Sequence, residues 1–308
     1  MNSLAARVLY LLAAALGRLP WAWLKRAGDL IATGWRWQDA RESRVTRRNL
    51  ELAFPALPGE QRDALQHAVL RTTARQALET LRFWTRARAD NLALIREQHG
   101  VALFDSALAS GRGVIVAAPH YGNWELLNQW LASRTPLAIL YRPPASAIGE
   151  AFLQRVRADD AGRVTQVRAE GPAVRQLFKR LKDGGVVGIL PDQQPKLGDG
   201  EFAPFFDVPA LTMTLLTRLA ERTGAVVLFA WCERIGSADA GAPAFALHIE
   251  PGAVDIAAPD PVLGVGALNA AVERIARRDP AQYQWTYKRY SLRPKGSGED
   301  NPYWPDCY

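Results

Sequence analysis

Residues 113–125 read GVIVAAPHYGNWE, a run of small and β-branched apolar residues that breaks at Pro119 and then sets out His120, Gly122, Asn123 and Glu125. An imidazole and a carboxylate do one kind of work when they meet: the carboxylate holds one ring nitrogen while the other takes a proton from a hydroxyl. On one continuous helix, residues five apart would point about 140° away from each other. Convergence therefore needs a turn between them, which Gly122 permits. The other three histidines, His67, His99 and His248, have no acid at that spacing. The same residues also make an ordinary helix start, with Asn123 as cap and Glu125 beside the positive end. Spacing alone leaves both readings open.

Positioning this stretch falls to the elements around it. From Gly111 onward, short β-branched runs at 114–118, 137–141, 163–167, 186–190 and 225–231 alternate with helical patterns at 124–132, 148–158, 173–181 and 211–222. Such alternation predicts an α/β fold, a largely parallel sheet flanked by helices, with ligands beyond the carboxyl ends of the strands. His120 falls two residues past a buried strand, and Glu125 in the first turn of the next helix. Two more strands end in polar residues. Tyr141 and Arg142 close one, where a guanidinium fork suits a phosphate or carboxylate, or else a surface ion pair. Asp192 and Gln193 close another, placed to hydrogen-bond a ligand. Tyr141, Arg142, Asn123, Asp192 and Gln193 form the expected substrate-binding set. Phe202, Phe205 and Phe206 could line an apolar channel, but a Phe cluster is more often plain core.

The start of the chain is different in kind. Residues 1–50 hold nine Arg/Lys against three acids, nearly the whole formal charge of +7. Within them, the ten apolar residues 8–17 lie between Arg7 and Arg18, and four of the ten tryptophans follow at Trp21, Trp23, Trp35 and Trp37. Ten residues are short of the about 20 that span a bilayer. Residues 4–24 could still span if Arg7 and Arg18 snorkel, so apolar, cationic and indole groups at this density fit an interfacial or marginally spanning membrane anchor. The expected organisation is an anchor over 1–40, an all-helical lead-in over 41–110, an α/β core over 111–290 and a tail over 291–308.

Several function classes lose their basis here. The two cysteines form no C-x-x-C, and the neighbourhood of His120 lacks further ligands, so no metal is expected. There is no G-x-S-x-G, no G-x-x-x-x-G-K-[ST], no G-x-G-x-x-G and no H-E-x-x-H. The arginines are interleaved with bulky apolar residues rather than set in any nucleic-acid-binding pattern, so no nucleic-acid partner is expected.

HYGNWE resembles the H-x-x-x-x-[DE] block of the lysophospholipid acyltransferase superfamily, in the HFGNWE form of the bacterial late acyltransferases of lipid A biosynthesis. RVTRRNLELAFP, YRPP, LKDGGVVGILPDQQP, GEFAPFFDVPALTMT and QYQWTYKRY resemble further blocks of that family in the same order. The resemblance implies transfer of a fatty acyl chain from acyl carrier protein, or from coenzyme A, to a hydroxyl of an anionic, Kdo-bearing lipid A precursor. It implies the cytoplasmic face of the inner membrane, and no cofactor beyond the acyl donor. His120 would be the base, Glu125 its orienter and Arg142 an anchor for acidic groups, with NH groups around Gly122 and Asn123 steadying the oxyanion. Other lipid acceptors, or a lipid-binding protein without turnover, are the alternatives.

Overall fold

A computed structural model describes residues 2–157, 162–169, 171–236 and 241–308. Helices α1 (Asn2–Gly17) and α2 (Trp21–Trp37) meet at 110°. Neither is long and apolar enough to cross a membrane alone. α1 leaves Leu4, Val8, Leu11, Leu12 and Leu16 exposed. α3 (Arg41–Ala53) and the long α4 (Gly59–Phe83) follow. α2 lies tight on α4 because Gly28 has no side chain: a Cβ there would sit 2.8 Å from Arg75 Cγ. Arg75 then reaches Asp29 with both Nε and Nη2, at 2.6 and 2.7 Å. Burial works against the Asp29 charge, but the hydrogen bond and charge of Arg75 outweigh it and hold the carboxyl below its usual pKa.

The four clustered tryptophans divide between core and surface. Trp21 packs edge-on against Phe83 beneath the Arg82 guanidinium, and Trp35 packs on Ala32, Leu70 and Ala74. Trp23 and Trp37 stay exposed beside Leu30 and Ile31. Half of the expected interfacial indoles are therefore structural.

After α5 (Arg88–Leu92) come β1 (Ile95–His99), α6 (Val101–Ala109), β2 (Val114–Ala117), α7 (Trp124–Arg134), β3 (Leu137–Tyr141), α8 (Ala147–Val156), β4 (Val164–Arg168), α9 (Gly171–Lys182) and β5 (Val186–Ile189). A hairpin of β6 (Gly200–Phe205) and β7 (Val208–Met213) precedes α10 (Leu215–Thr223), β8 (Val226–Ile235), β9 (Ala244–Pro251) and α11 (Pro261–Ala276). The seven-stranded sheet runs β1-β9-β8-β2-β5-β3-β4. All its pairings are parallel except β8 with β9. Helices cover both faces, and β2 and β5 are buried throughout. The expected α/β class with a largely parallel sheet is what the chain adopts.

Two expectations need correcting. The lead-in is not all helical, because β1 joins the sheet edge beside β9. Residues 211–213 belong to β7, not to the helix expected over 211–222, and residue 158 of the helix expected over 148–158 lies outside the described residues. Phe205 and Phe206 are fully buried against Phe54, Tyr283, Trp285 and Tyr290, so the favoured reading of them as plain core is the one the structure shows.

Candidate active site

Parallel register assembles the site. Ala117 of β2 pairs with Ile189 of β5, and the Ala118 N–H donates to the Ile189 carbonyl at 2.9 Å. Each strand then continues through one residue into a proline, giving Pro119-His120 beside Pro191-Asp192. Strand ends in register deliver their third residues side by side. The Asp192 carboxylate accepts from the His120 backbone N–H at 2.8 Å through Oδ2 and from His120 Nδ1 at 2.7 Å through Oδ1. Burial opposes the Asp192 charge, yet the charge and hydrogen bonds of His120 outweigh it and keep its pKa below the usual carboxylate value. Burial, then the nearby Asp192 charge, push the Tyr283 phenol far upward, so it stays protonated beside that carboxylate.

Glu125 was expected to hold the imidazole, and the structure gives that contact to Asp192. The Glu125 carboxylate is buried elsewhere: Arg157 donates to it from Nε at 3.1 Å and again from Nη2, and Trp84 Nε1 donates at 3.0 Å. The reason is local. Asn123 caps α7, its side chain accepting from the Leu126 N–H at 3.1 Å. Glu125 then leaves from the first turn toward the end of α4 and the residue after α8, while His120 stays with the sheet. Gly122 does make the expected turn, at φ +59°, where a Cβ would fall 2.0 Å from the Cys232 carbonyl oxygen.

The NH groups around that turn are already engaged. Gly122 N–H donates to Gln282 O at 3.1 Å and Asn123 N–H to Cys232 O at 2.9 Å. They are not available to an oxyanion. Asn123 itself is fully buried as the cap rather than facing a substrate.

The other expected residues meet at a cleft of about 1100 Å³. His120, Tyr141, Arg142 and Gln193 line it. Ile139, Leu153, Val174, Phe178, Leu190 and Leu219 make an apolar stretch of wall. Arg142, Arg175, Lys196 and Arg218 line it too and form no ion pair among the described residues. Tyr141 is mostly buried, its hydroxyl donating to Glu150 at 3.2 Å. Trp124 stands edge-on to the imidazole with ring centroids 4.8 Å apart.

Arg157, Trp84, Tyr283 and Gln284 are site residues that sequence reasoning missed. Gln284 belongs to a closing segment whose backbone N–H donates to His120 O at 2.9 Å. Asn49 of α3 fixes this segment by donating to the carbonyls of Trp285 and Tyr287 at 2.6 and 2.8 Å. The Asp192 partnership did have a sequence signal: AAPH and ILPD both place a titratable residue directly after a proline at the end of an apolar strand.

An imidazole with one nitrogen fixed, opening on an apolar cleft with a cationic lining, suits the transfer of an acyl group to a hydroxyl on a charged lipid. The class is that of an acyltransferase. The family model of the bacterial lipid A biosynthesis acyltransferases matches residues 4–291, and the chain belongs to that family. It is 28% identical to a lipid A biosynthesis palmitoleoyltransferase of Escherichia coli K12 over 262 residues, 83% of this chain and 81% of the relative. Against the lipid A biosynthesis lauroyltransferase of the same organism it is 24% identical over 294 residues, 94% of this chain and 87% of the relative. A phosphatidylinositol mannoside acyltransferase of Mycobacterium tuberculosis is 28% identical over 189 residues, 60% of each chain.

Proposed function

We propose that this acyltransferase moves a fatty acyl chain from an acyl carrier protein thioester, or from coenzyme A, to a hydroxyl of a lipid A precursor at the cytoplasmic face of the inner membrane. His120 is the base. Asp192 holds Nδ1 protonated, which leaves the Nε2 lone pair facing the cleft to take the acceptor's proton. The hydroxyl oxygen attacks the thioester carbonyl, and the imidazolium returns its proton to the departing sulfur. No covalent enzyme intermediate is needed. The observation that carries the reading is the in-register His120–Asp192 pair, with His120 lining the cleft, in a chain that matches the family along nearly its whole length.

Acceptor charge is the second support. Arg142, Arg175, Lys196 and Arg218 form no ion pair among the described residues and outnumber Asp199, the one acid among the lining residues, so the excess positive charge suits an anionic lipid. The glycolipid named for the mycobacterial relative keeps another acceptor in view. Incubating the protein with labelled acyl-carrier-protein and acyl-coenzyme A donors, and with Kdo-bearing lipid A precursor, lysophospholipid and mannosylated phosphatidylinositol as acceptors, decides among them. Mass spectrometry should find one added acyl chain on the lipid A precursor. Addition to another acceptor only, or to none, overturns the assignment.

The exposed apolar side chains of α1 and α2 are the proposed membrane contact. Replacing Leu11, Leu12 and Trp23 together by serine should release most of the protein from vesicles containing phosphatidylglycerol in a flotation assay, because each buried large apolar side chain contributes about 1.5–3 kcal/mol. Unchanged flotation would exclude these helices as the anchor.

A further inference from the structure

Gln193 stands on the nitrogen that the proposed reaction needs free. Its Nε2 lies 3.2 Å from His120 Nε2 and 3.3 Å from Gln284 Oε1. Because Asp192 accepts a hydrogen bond from Nδ1–H and keeps the ring proton there, Nε2 carries the lone pair, and a carboxamide N–H is a group that can donate to it. The Gln284 carbonyl decides which end of the amide faces the ring. Turning the Gln193 amide round would set its oxygen against two acceptors at once. Gln284 is in turn held by its own backbone N–H, which donates to the His120 carbonyl at 2.9 Å. The Gln193 amide thus covers the base where it meets the cleft, and Gln284 of the closing segment holds that amide.

We propose that Gln193, held by Gln284, caps the base and keeps it from activating water while a thioester waits in the cleft without an acceptor. The inference rests on His120 acting as the base. In the reaction so suppressed, water gives a proton to His120 Nε2 and its oxygen bonds to the thioester carbonyl carbon. The carbon–sulfur bond then breaks, and the sulfur takes the proton from the imidazolium, so that a fatty acid and a thiol are released. Either nucleophile must first break the hydrogen bond between Gln193 and Nε2. An acceptor lipid brings binding energy from the rest of its contacts in the cleft to do this, and water brings none. The cap is therefore a device for choosing a lipid hydroxyl over water.

Two measurements test it on Gln193→Ala and Gln284→Ala, the second leaving Gln193 present but unheld. With acyl-coenzyme A and no acceptor, thiol release should rise about five- to tenfold over wild type, the factor commanded by one net hydrogen bond. Adding His120→Ala to Gln193→Ala should abolish the gain. Diethyl pyrocarbonate, which acylates an unprotonated ring nitrogen, should modify His120 severalfold faster in both variants, followed by peptide mass spectrometry. If neither rate rises in a variant that melts like wild type, the cap is refuted. A wild type that transfers no acyl group from any thioester counts against the proposed function instead, and the diethyl pyrocarbonate rates still decide whether Gln193 covers the nitrogen.

Discussion

Asp192→Asn is expected to lower acyl transfer by about 10³-fold or more while leaving the protein folded. The carboxylate accepts two N–H groups, from the His120 backbone and from ring Nδ1, at 2.8 and 2.7 Å. An asparagine has one accepting oxygen. If that oxygen stays with the backbone, its NH₂ faces Nδ1 and can be satisfied only by a lone pair there, which moves the ring proton to Nε2 and removes the base. The charge that would stabilise the imidazolium is lost as well. His120→Ala, which deletes the base outright, should cost at least as much. In the double variant the loss should be little greater than in the worse single variant, because residues that act as a unit do not add. Single-turnover rates on an acyl donor, with circular dichroism to verify folding, check this. Losses that multiply, or an Asp192→Asn enzyme at wild-type rate, would end the role of Asp192 as the orienting group.

Glu125 and Arg157 carry the second large effect. Their side chains are 5% and 18% exposed, and the pair joins α7 to the end of α8, with Trp84 of the α4 end completing the contact. Breaking one partner of such a buried pair costs roughly 3–5 kcal/mol, because the other charge remains buried without an answer. Glu125→Gln and Arg157→Gln should each lower the denaturation midpoint and reduce activity together, since Arg157 lines the cleft. The double replacement should be less destabilised than the sum of the two. This pattern separates the pair from the imidazole. If Arg157→Gln were stable and active while Glu125→Gln was folded and inert, Glu125 would act on His120 directly, as its spacing in the sequence suggested.

How far the fold was legible depends on how local each signal is. The buried strands β2, β3 and β5 are dense runs of Val, Ile, Leu and Ala, and their alternation with helices required the α/β class. Elements without such a signature were missed. β1 (Ile95–His99) is an edge strand with four polar residues, so nothing in IREQH reads as half-buried. The β6–β7 hairpin turns at Phe206 and Asp207, both at positive φ (51° and 60°). A turn of that kind ordinarily announces itself by Asn-Gly or Asp-Gly. Here the packing of Phe206 on Phe54 and Trp285 holds the conformation instead.

The sequence by itself determined where His120 would stand, because a buried strand followed by Pro, Gly and a capping Asn can put it only at a ligand-facing strand end. It also determined the basic, apolar start of the chain and the family blocks. Only the tertiary structure decided which carboxylate reaches the imidazole. Glu125 is five residues away along the chain and Asp192 is 72, yet helix geometry turns the near one aside and the hydrogen-bonded register of β2 with β5 brings the distant one in. Local spacing fixes the direction in which a side chain leaves its own element. What waits there is set by the pairing of strands far apart in the chain, and that pairing is a sum of long-range hydrogen bonds and packing that no short stretch encodes.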